Sequence, residues 1–445
     1  MIVTEGEADP PRTDQDGSGG HNAGEHGNPE RTAASLPPRA AAVVRRRRVE
    51  ARQRRLTRLQ TGISVLFVVL LVGLVFVGYQ ATLKVGGGTD SRITDPAEPG
   101  YLADPIPTPV DAYVAVDGEG KYVSSLLVAP DGSGAGGTVV PIGTILAVGD
   151  PDSAEADPVT FVRDVYNEEG IEAFRSRLGS TLGFAIGSVR EVPHDALVEL
   201  ADGEPVTVEN PDNLIMPGDG EGAGEVRYPA GTLTLQPEDI AEFLAFEGAD
   251  DPAPNQQIRV SQVWEELLAR ADGRTHDDLP EGESTDGAKS PPFGEMVDVL
   301  GAGDVSFDAV PLYRRPIPGS IIVVAWMADP AYLDNFVARV VPLPVSPVPG
   351  RRTPVAILNG TSDRDAVSAA VPKVVSAGGE VSVVGNADSF DVASTTVEYL
   401  YPDAREAADA VAGALGVTAT EGSAPQESEM QGVSVKVVLG SDTQQ

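Results

Sequence analysis

VAILNGT, residues 355–361, is a short apolar run closed by Asn359-Gly360-Thr361, and it reads as a β-strand ending in a tight turn. Downstream, Val367, Val371, Val374 and Val375 recur at helical spacing across Asp365–Ala377, where Pro372 is expected to kink or restart the helix. Val381–Val384 and Thr395–Leu400 read as strands. Pro402 and Asp403 open a second helix in which Ala404, Ala407, Ala408, Val411 and Leu415 share a face, with Gly416 as its cap. VSVKVVL, residues 433–439, closes the segment as a strand. The order β-α-β-β-α-β over residues 355–442 predicts a small α/β domain, which the split βαβ topology accommodates.

Four spaced stretches of this segment occur in order: VAILNGT, VVGNADS (383–389), TTVEYLYPDAREAADAVAGALG (395–416) and VKVVLGSD (435–442). Together they resemble the LytR C-terminal domain. That resemblance implies a module of bacterial envelope proteins, often carried behind one transmembrane helix, that binds or interacts and does no chemistry. Asn359, Gly360, Thr361, Asn386 and Asp388 lie at turns expected to face one another, and they form the candidate binding surface. Turn geometry alone also accounts for Asn359-Gly360 and Asn386.

Upstream, PLPVSPVPGRRTP (342–354) reads as a Pro-rich linker. Before it, Ile321–Trp326 is apolar but far too short to span a bilayer, so it reads as a buried strand. The adjacent Arg314 and Arg315 are expected to pair within their own acidic domain. Between about 110 and 271, VDAYVAVDG and KYVSSLLVAPDG read as two strands joined by a turn. Ile171, Phe174, Leu178 and Leu182 mark a helix, and Phe184–Arg190 a strand. HDALVELADG reads as a helix, PVTVEN as a strand, and RYPAGTLTLQPEDIAEFLAFEG as the approach to a helix with Pro237 at its start. Val260, Val263, Trp264, Leu267 and Leu268 mark another helix. The run 272–292 reads as a loop, and the whole of 110–341 as a layered α/β domain.

The order of these pieces resembles the LytR-CpsA-Psr domain. That family's enzymes transfer glycopolymers from polyprenyl pyrophosphate carriers to peptidoglycan. The resemblance rests on Asp111-Ala-Tyr-Val, LLVAPDG, RYPAGTLTLQPEDIAEF and NQQIRVSQVWEELL. It implies several arginines against a pyrophosphate and carboxylates around magnesium. This chain departs from that pattern at the cations. Asp131 stands where the first arginine belongs, Ala245 and Glu247 replace a pair, and Asn255 precedes Gln256 and Gln257 in place of another. Each lost charged hydrogen bond costs ~1.5–3 kcal/mol, so the domain is expected to be a degenerate, non-catalytic relative. Arg259 is the one cation nearby.

ISVLFVVLLVGLVFVGY, residues 63–79, carries no charge and follows Arg45–Arg48, Arg52, Arg54, Arg55 and Arg58. It reads as the core of a transmembrane helix over 61–83, with 1–60 cytoplasmic by the positive-inside rule. The expected organisation is therefore a disordered basic cytoplasmic tail (1–60), a membrane helix (61–83), a Gly/Pro-rich linker (84–109), the LytR-CpsA-Psr-like domain (110–341), the Pro-rich linker (342–354) and the LytR C-terminal domain (355–442). Residues 1–60 hold 11 arginines against 8 acids, which leaves 21 basic and 59 acidic residues beyond, a net charge of −38. Such a segment repels nucleic acid. The chain has no cysteine, so its fold rests on buried apolar area without disulfides.

The functional expectation is a single-pass cell-envelope protein without catalysis, metal or cofactor. Its partners would be the membrane and peptidoglycan, an envelope glycopolymer or cell-wall enzymes. The alternative is a polyprenyl-phosphate-dependent glycopolymer–peptidoglycan ligase, in which Asp111 and Asp117 would hold Mg. His21, His26, His194 and His276 lack the neighbours of a zinc site or a catalytic triad.

Overall fold

The computed structural model describes residues 93–149, 160–216, 224–248, 251–271, 274–285, 291–316, 324–423 and 430–444. These lie in one compact unit, Asp90–Gln445. The expected cytoplasmic tail, transmembrane helix and first part of the linker fall outside the described residues. Among the described residues no helix is long and apolar enough to cross a membrane.

The fold is mixed α/β. After a two-residue strand β1 (Leu102–Ala103), β2 (Asp111–Val116), β3 (Tyr122–Pro130) and β4 (Gly137–Ile142) form an antiparallel meander. Next come β5 (Leu146–Val148), β6 (Thr160–Phe161), α1 (Ile171–Leu182), β7 (Ser188–Val192) and α2 (His194–Leu200). The family of short strands β8 (Val206–Asn210), β9 (Leu214–Ile215), β10 (Val226–Tyr228) and β11 (Gly231–Leu235) leads into α3 (Ile240–Ala245) and the long α4 (Ala253–Arg270). The middle domain ends with α5 (Phe293–Gly301), β12 (Val305–Phe307), β13 (Leu312–Pro316), β14 (Val324–Ala328) and α6 (Pro330–Val340).

A five-stranded sheet, β12-β4-β3-β2-β7, is the centre of this domain, with β12 and β7 parallel to their neighbours. Strand alternation splits its side chains between two cores. Ala112, Val114 and Leu127 pack toward α1 and α6, while Tyr113, Leu126 and Val128 pack toward α2, α3, α4 and α5. A four-stranded sheet, β13-β14-β5-β6, lies beside it. The helix α6 starts where Asp329, its N-cap, accepts from Ala331 N at 2.9 Å and Pro330 fills the first position.

The last domain contains β15 (Thr353–Asn359), α7 (Ala366–Ser376), β16 (Gly379–Asn386), β17 (Thr396–Tyr399), α8 (Arg405–Leu415), β18 (Ala419–Glu421) and β19 (Val435–Leu439). Helix α7 runs through Pro372 without a break, and Gly416 caps α8 in the left-handed region at φ 77°. The β-α-β-β-α-β order holds with one strand added. Three-residue β18 pairs parallel to β17, so α8 connects those two and β19 enters between β15 and β17. The short, half-polar ATE sequence carries too little periodicity to be read as a strand.

Two stretches read as linkers are built into the fold. Within 84–109, β1 pairs with β16 and extends the terminal sheet to β1-β16-β15-β19-β17-β18. Within 342–354, Arg352 is 97% buried and β15 already begins at Thr353. One apolar core passes beneath this stretch, from Phe336, Val337 and Val340 on α6 to Val371, Val374 and Val375 on α7. Proline-rich composition marked the absence of regular hydrogen bonding there, but tertiary contacts from both sides order it.

Candidate functional site

Two places follow from the sequence: the surroundings of Asp111 and the turns of the terminal domain. Asp111 heads β2, and its Oδ1 accepts from Ser188 Oγ at 2.6 Å, its register partner on the parallel strand β7. Asp117 lies past the opposite end of β2, where Oδ1 accepts from the backbone N–H of Glu119 (2.8 Å) and Lys121 (2.9 Å) and so closes the turn into β3. The six-residue strand between them spans about 20 Å. One ion cannot be shared over that length, so the paired Mg ligation considered for Asp111 and Asp117 does not form.

Four arginines of this domain, Arg163, Arg190, Arg227 and Arg259, pair with carboxylates. Arg259 makes a bidentate pair with Asp251, at 2.8 and 2.6 Å, with the two side chains 1% and 2% exposed. Arg163 pairs with Glu247 and with Asp164, Arg190 with Glu281 at 3.0 Å, and Arg227 with Glu242 at 2.8 Å. Glu247 is thus an acceptor for Arg163. The Arg227 guanidinium holds the Glu242 carboxyl below its usual range. Asp131 sits in an exposed turn after β3, where its Oδ1 accepts from Ser133 N at 3.3 Å.

Helix α4 presents the paired glutamines. Gln256 is buried, donates from Nε2 to Thr144 Oγ1 at 2.7 Å and accepts from Ile145 N at 3.3 Å, so its carboxamide ties α4 to the loop after β4. Gln257 borders a cleft lined also by Ile142, Leu146, Val310 and Leu312, with room of about 20 Å³, far below the ~300–1,000 Å³ of ordinary small-molecule sites. The space between the sheet and α3–α5 is filled by Trp264, Phe243, Phe293 and Tyr113, all fully buried. The Trp264 indole donates to Ser124 Oγ at 3.2 Å.

Of the other sequence candidates, His276 Nδ1 meets Asp298 Oδ1 at 2.7 Å, an orientation that fixes a loop onto α5. Arg314 is exposed and stands opposite Trp326 in the β13–β14 register.

In the terminal domain the structure brings Asn359 and Asn386 side by side as register partners at the C-terminal ends of β15 and β16. Asn359 is 7% exposed: Nδ2 donates to Asp363 O at 2.7 Å, and Oδ1 accepts from Thr361 N and Oγ1, each at 2.9 Å. Gly360 lies beneath Val392, and a Cβ there would stand 2.6 Å from Leu439 O. Thr361 is buried. Asn386 Nδ2 donates to the carbonyls of Pro96 (2.9 Å) and Glu98 (2.8 Å). Asp388 alone of the five is exposed. Four of these residues therefore hold the turns and the N-terminal segment together, leaving Asp388 as the part open to contact. The role of Asn386 had one sequence signal, the preceding Gly385 inside a strand, which marks a close backbone approach.

No curated relative matches the chain. Among solved structures, similarity extends to a transcriptional regulator from Enterococcus faecalis at 14% identity, covering 52% of this chain and 86% of that one with a TM-score of 0.36. TagV of Bacillus subtilis is similar at 13% identity, 53% and 97% coverage and a TM-score of 0.37. TagT of the same organism follows at 14% identity, 56% and 94% coverage and 0.34. The family model described as LytR cell envelope-related transcriptional attenuator matches residues 352–443. The four ordered motifs, the sheet they build and this match agree, and the last segment of the chain is similar to the LytR C-terminal domain over residues 352–443.

Proposed function

We propose that this chain is a non-catalytic cell-envelope protein. It is anchored by one transmembrane helix, with its N-terminus cytoplasmic and the domains from 110 onward extracytoplasmic. It binds a wall component, peptidoglycan or an envelope glycopolymer, or holds cell-wall enzymes near the membrane. The middle domain is read as a degenerate LytR-CpsA-Psr relative. The observation that carries this reading is the Arg259–Asp251 pair. The Arg259 guanidinium, on the same helix as the paired glutamines, is closed off by a carboxylate and out of solvent, so it is not available to a phosphate.

The test is direct. Full chain is incubated with a prenyl pyrophosphate and magnesium, and phosphate release is followed beside the Asp111→Ala variant. No release is expected from either protein; release that disappears in the variant overturns the proposal in favour of the ligase. In parallel, co-sedimentation with purified sacculi is measured for the wild type and for Asp388→Ala. A loss of roughly 3–10-fold is expected, the equivalent of one polar contact.

A further inference from the structure

The segment before the middle domain is held by the last domain through contacts specific to it. Gly100 N donates to Ala387 O at 3.0 Å, Asn386 N donates to Tyr101 O at 2.8 Å, and Leu102 and Ala103 pair with Gly385 and Val384. The Asn386 carboxamide adds two bonds to the carbonyls of Pro96 and Glu98. Gly385 makes room for the strap, since a Cβ there would lie 2.1 Å from Tyr101 O. Leu102 packs on Ala356, Val383, Leu400 and Val433. This is strand addition to a sheet edge, in which main-chain bonds give affinity and one apolar side chain gives register.

The strap is held by a short ladder of two residue pairs, two flanking main-chain bonds, one carboxamide and one apolar side chain, Leu102. Four residues, Asp104–Pro107, join it to Thr108, where the chain is pinned again. There Thr108 N donates to Leu343 O and Thr108 Oγ1 accepts from Leu343 N, both at 3.0 Å. Pro105, Pro107 and Pro109 restrict the residues before them to extended backbone, so the hinge is stiff and short. Short, stiff hinges favour exchange of an element between copies. Ile106, at the hinge centre, is 86% exposed, more than any other large apolar side chain among the described residues.

We propose that the strap Ile93–Ala103 exchanges between two copies of this chain, each filling the β16 edge of the other. In that two-fold arrangement the hinges run side by side, and the two Ile106 side chains cover each other. A second copy is the occupant that fits, because its strap carries the same Gly100, Leu102 and backbone pattern that the groove already accepts. The edge thus serves as a self-association surface. A tethered strap competes at an effective concentration on the order of mM, so exchange is favoured when copies are crowded.

The absence of native cysteine permits a clean cross-linking test. Full-length Ala103→Cys and full-length Val384→Cys, in detergent at high protein concentration, are mixed, oxidised with diamide and analysed by mass. Gly118→Cys, at a turn where a Cβ meets nothing within 4 Å, replaces Ala103→Cys as the control. The double variant Ala103→Cys/Val384→Cys, diluted, establishes that the two sites close a disulfide in place.

Exchange predicts a reducible heterodimer about 10-fold more abundant than with the control, falling back toward the control when Ile106→Asp is added to both chains. Heterodimer at the control level, with the double variant closing only within its own chain, overturns the proposal. Failure of the double variant to close at all overturns it as well, because the strap then does not occupy the edge.

Discussion

Arg352 Nη1 donates to Asp334 Oδ1 at 2.9 Å, and through that bond a residue at the head of β15 reaches helix α6 of the preceding domain. The same guanidinium donates from Nε to Gly379 O at 3.0 Å and from Nη2 to Val375 O. One side chain therefore satisfies the end of α7, the start of β16 and a carboxylate across the seam. Burial pulls the Arg352 pKa down, while the Asp334 charge acts in the opposite direction.

Arg352→Ala removes the guanidinium bonds to the carbonyls of Gly379 and Val375 and leaves Asp334 without its cation. A stability loss of about 2–4 kcal/mol is expected in urea denaturation. Arg352→Lys restores little of it, since one ammonium does not reach three acceptors in the guanidinium geometry. Recovery of wild-type stability by lysine would refute the tripod role.

Because one apolar core crosses the seam, the two domains are expected to unfold together. Both tryptophans, Trp264 and Trp326, lie in the middle domain, so their fluorescence reports that domain alone, whereas far-UV circular dichroism reports both. Coincident urea transitions are expected. Two separated transitions would show that the shared core does not couple them.

Arg259→Met leaves the carboxylate of Asp251 buried beside apolar neighbours. A loss of about 3–5 kcal/mol is expected, near the upper range for breaking a buried pair from one side. If Arg259 instead served a phosphate ligand, the substitution would lower ligand binding with little change in stability, and thermal denaturation separates these outcomes.

At alkaline pH the tyrosines decide. Burial first, and then the Glu242 charge, push the Tyr228 hydroxyl up to about 12. Burial likewise raises Tyr122, where a hydrogen bond with Ser125 acts in the opposite direction. Burial raises Tyr166 too, followed by its bond to Glu191. The unfolded chain ionises near 10 while the folded chain keeps these protons. The stability they contribute is thus complete below pH 10 and is lost as pH rises through the folded values. Urea midpoints that stay constant from pH 9 to 11.5 would contradict this, and Tyr122→Phe should flatten the alkaline decline.

Gly385→Ala places a methyl against Tyr101 O and should displace the strap. Limited proteolysis is expected to cut near Tyr101 at a rate raised by about 10-fold or more, as for release of a ladder worth ~1.4 kcal/mol or above. Unchanged protection would mean the edge tolerates the extra carbon.

The elements with strong periodicity were legible in the sequence. The spacing Phe174, Leu178, Leu182 gave α1, and the Val260–Leu268 stripe gave the buried face of α4. The partner of Glu247 was not legible, because Arg163 lies 84 residues away on another element. Local pattern also misled where tertiary contact rules. Leu102–Ala103 is too short to signal a strand and exists only because β16 offers an edge. Arg352 sits among prolines that suggest solvent, yet it is drawn inward by carbonyls belonging to residues 23 and 27 positions later. The turn chemistry that suggests Asn359 and Thr361 as contact residues is the same chemistry that keeps them occupied with each other.

Leu102 and its mate Gly385 are separated by about 280 residues of chain, so the outermost strand must wait for nearly the whole polypeptide before its pairing exists. Until the last strands of the sheet exist, Leu102–Ala103 has no edge to join, so closure of that sheet comes last. A quality-control protease that samples that interval would therefore read, in one exposed stretch, whether the far end of the protein has been completed.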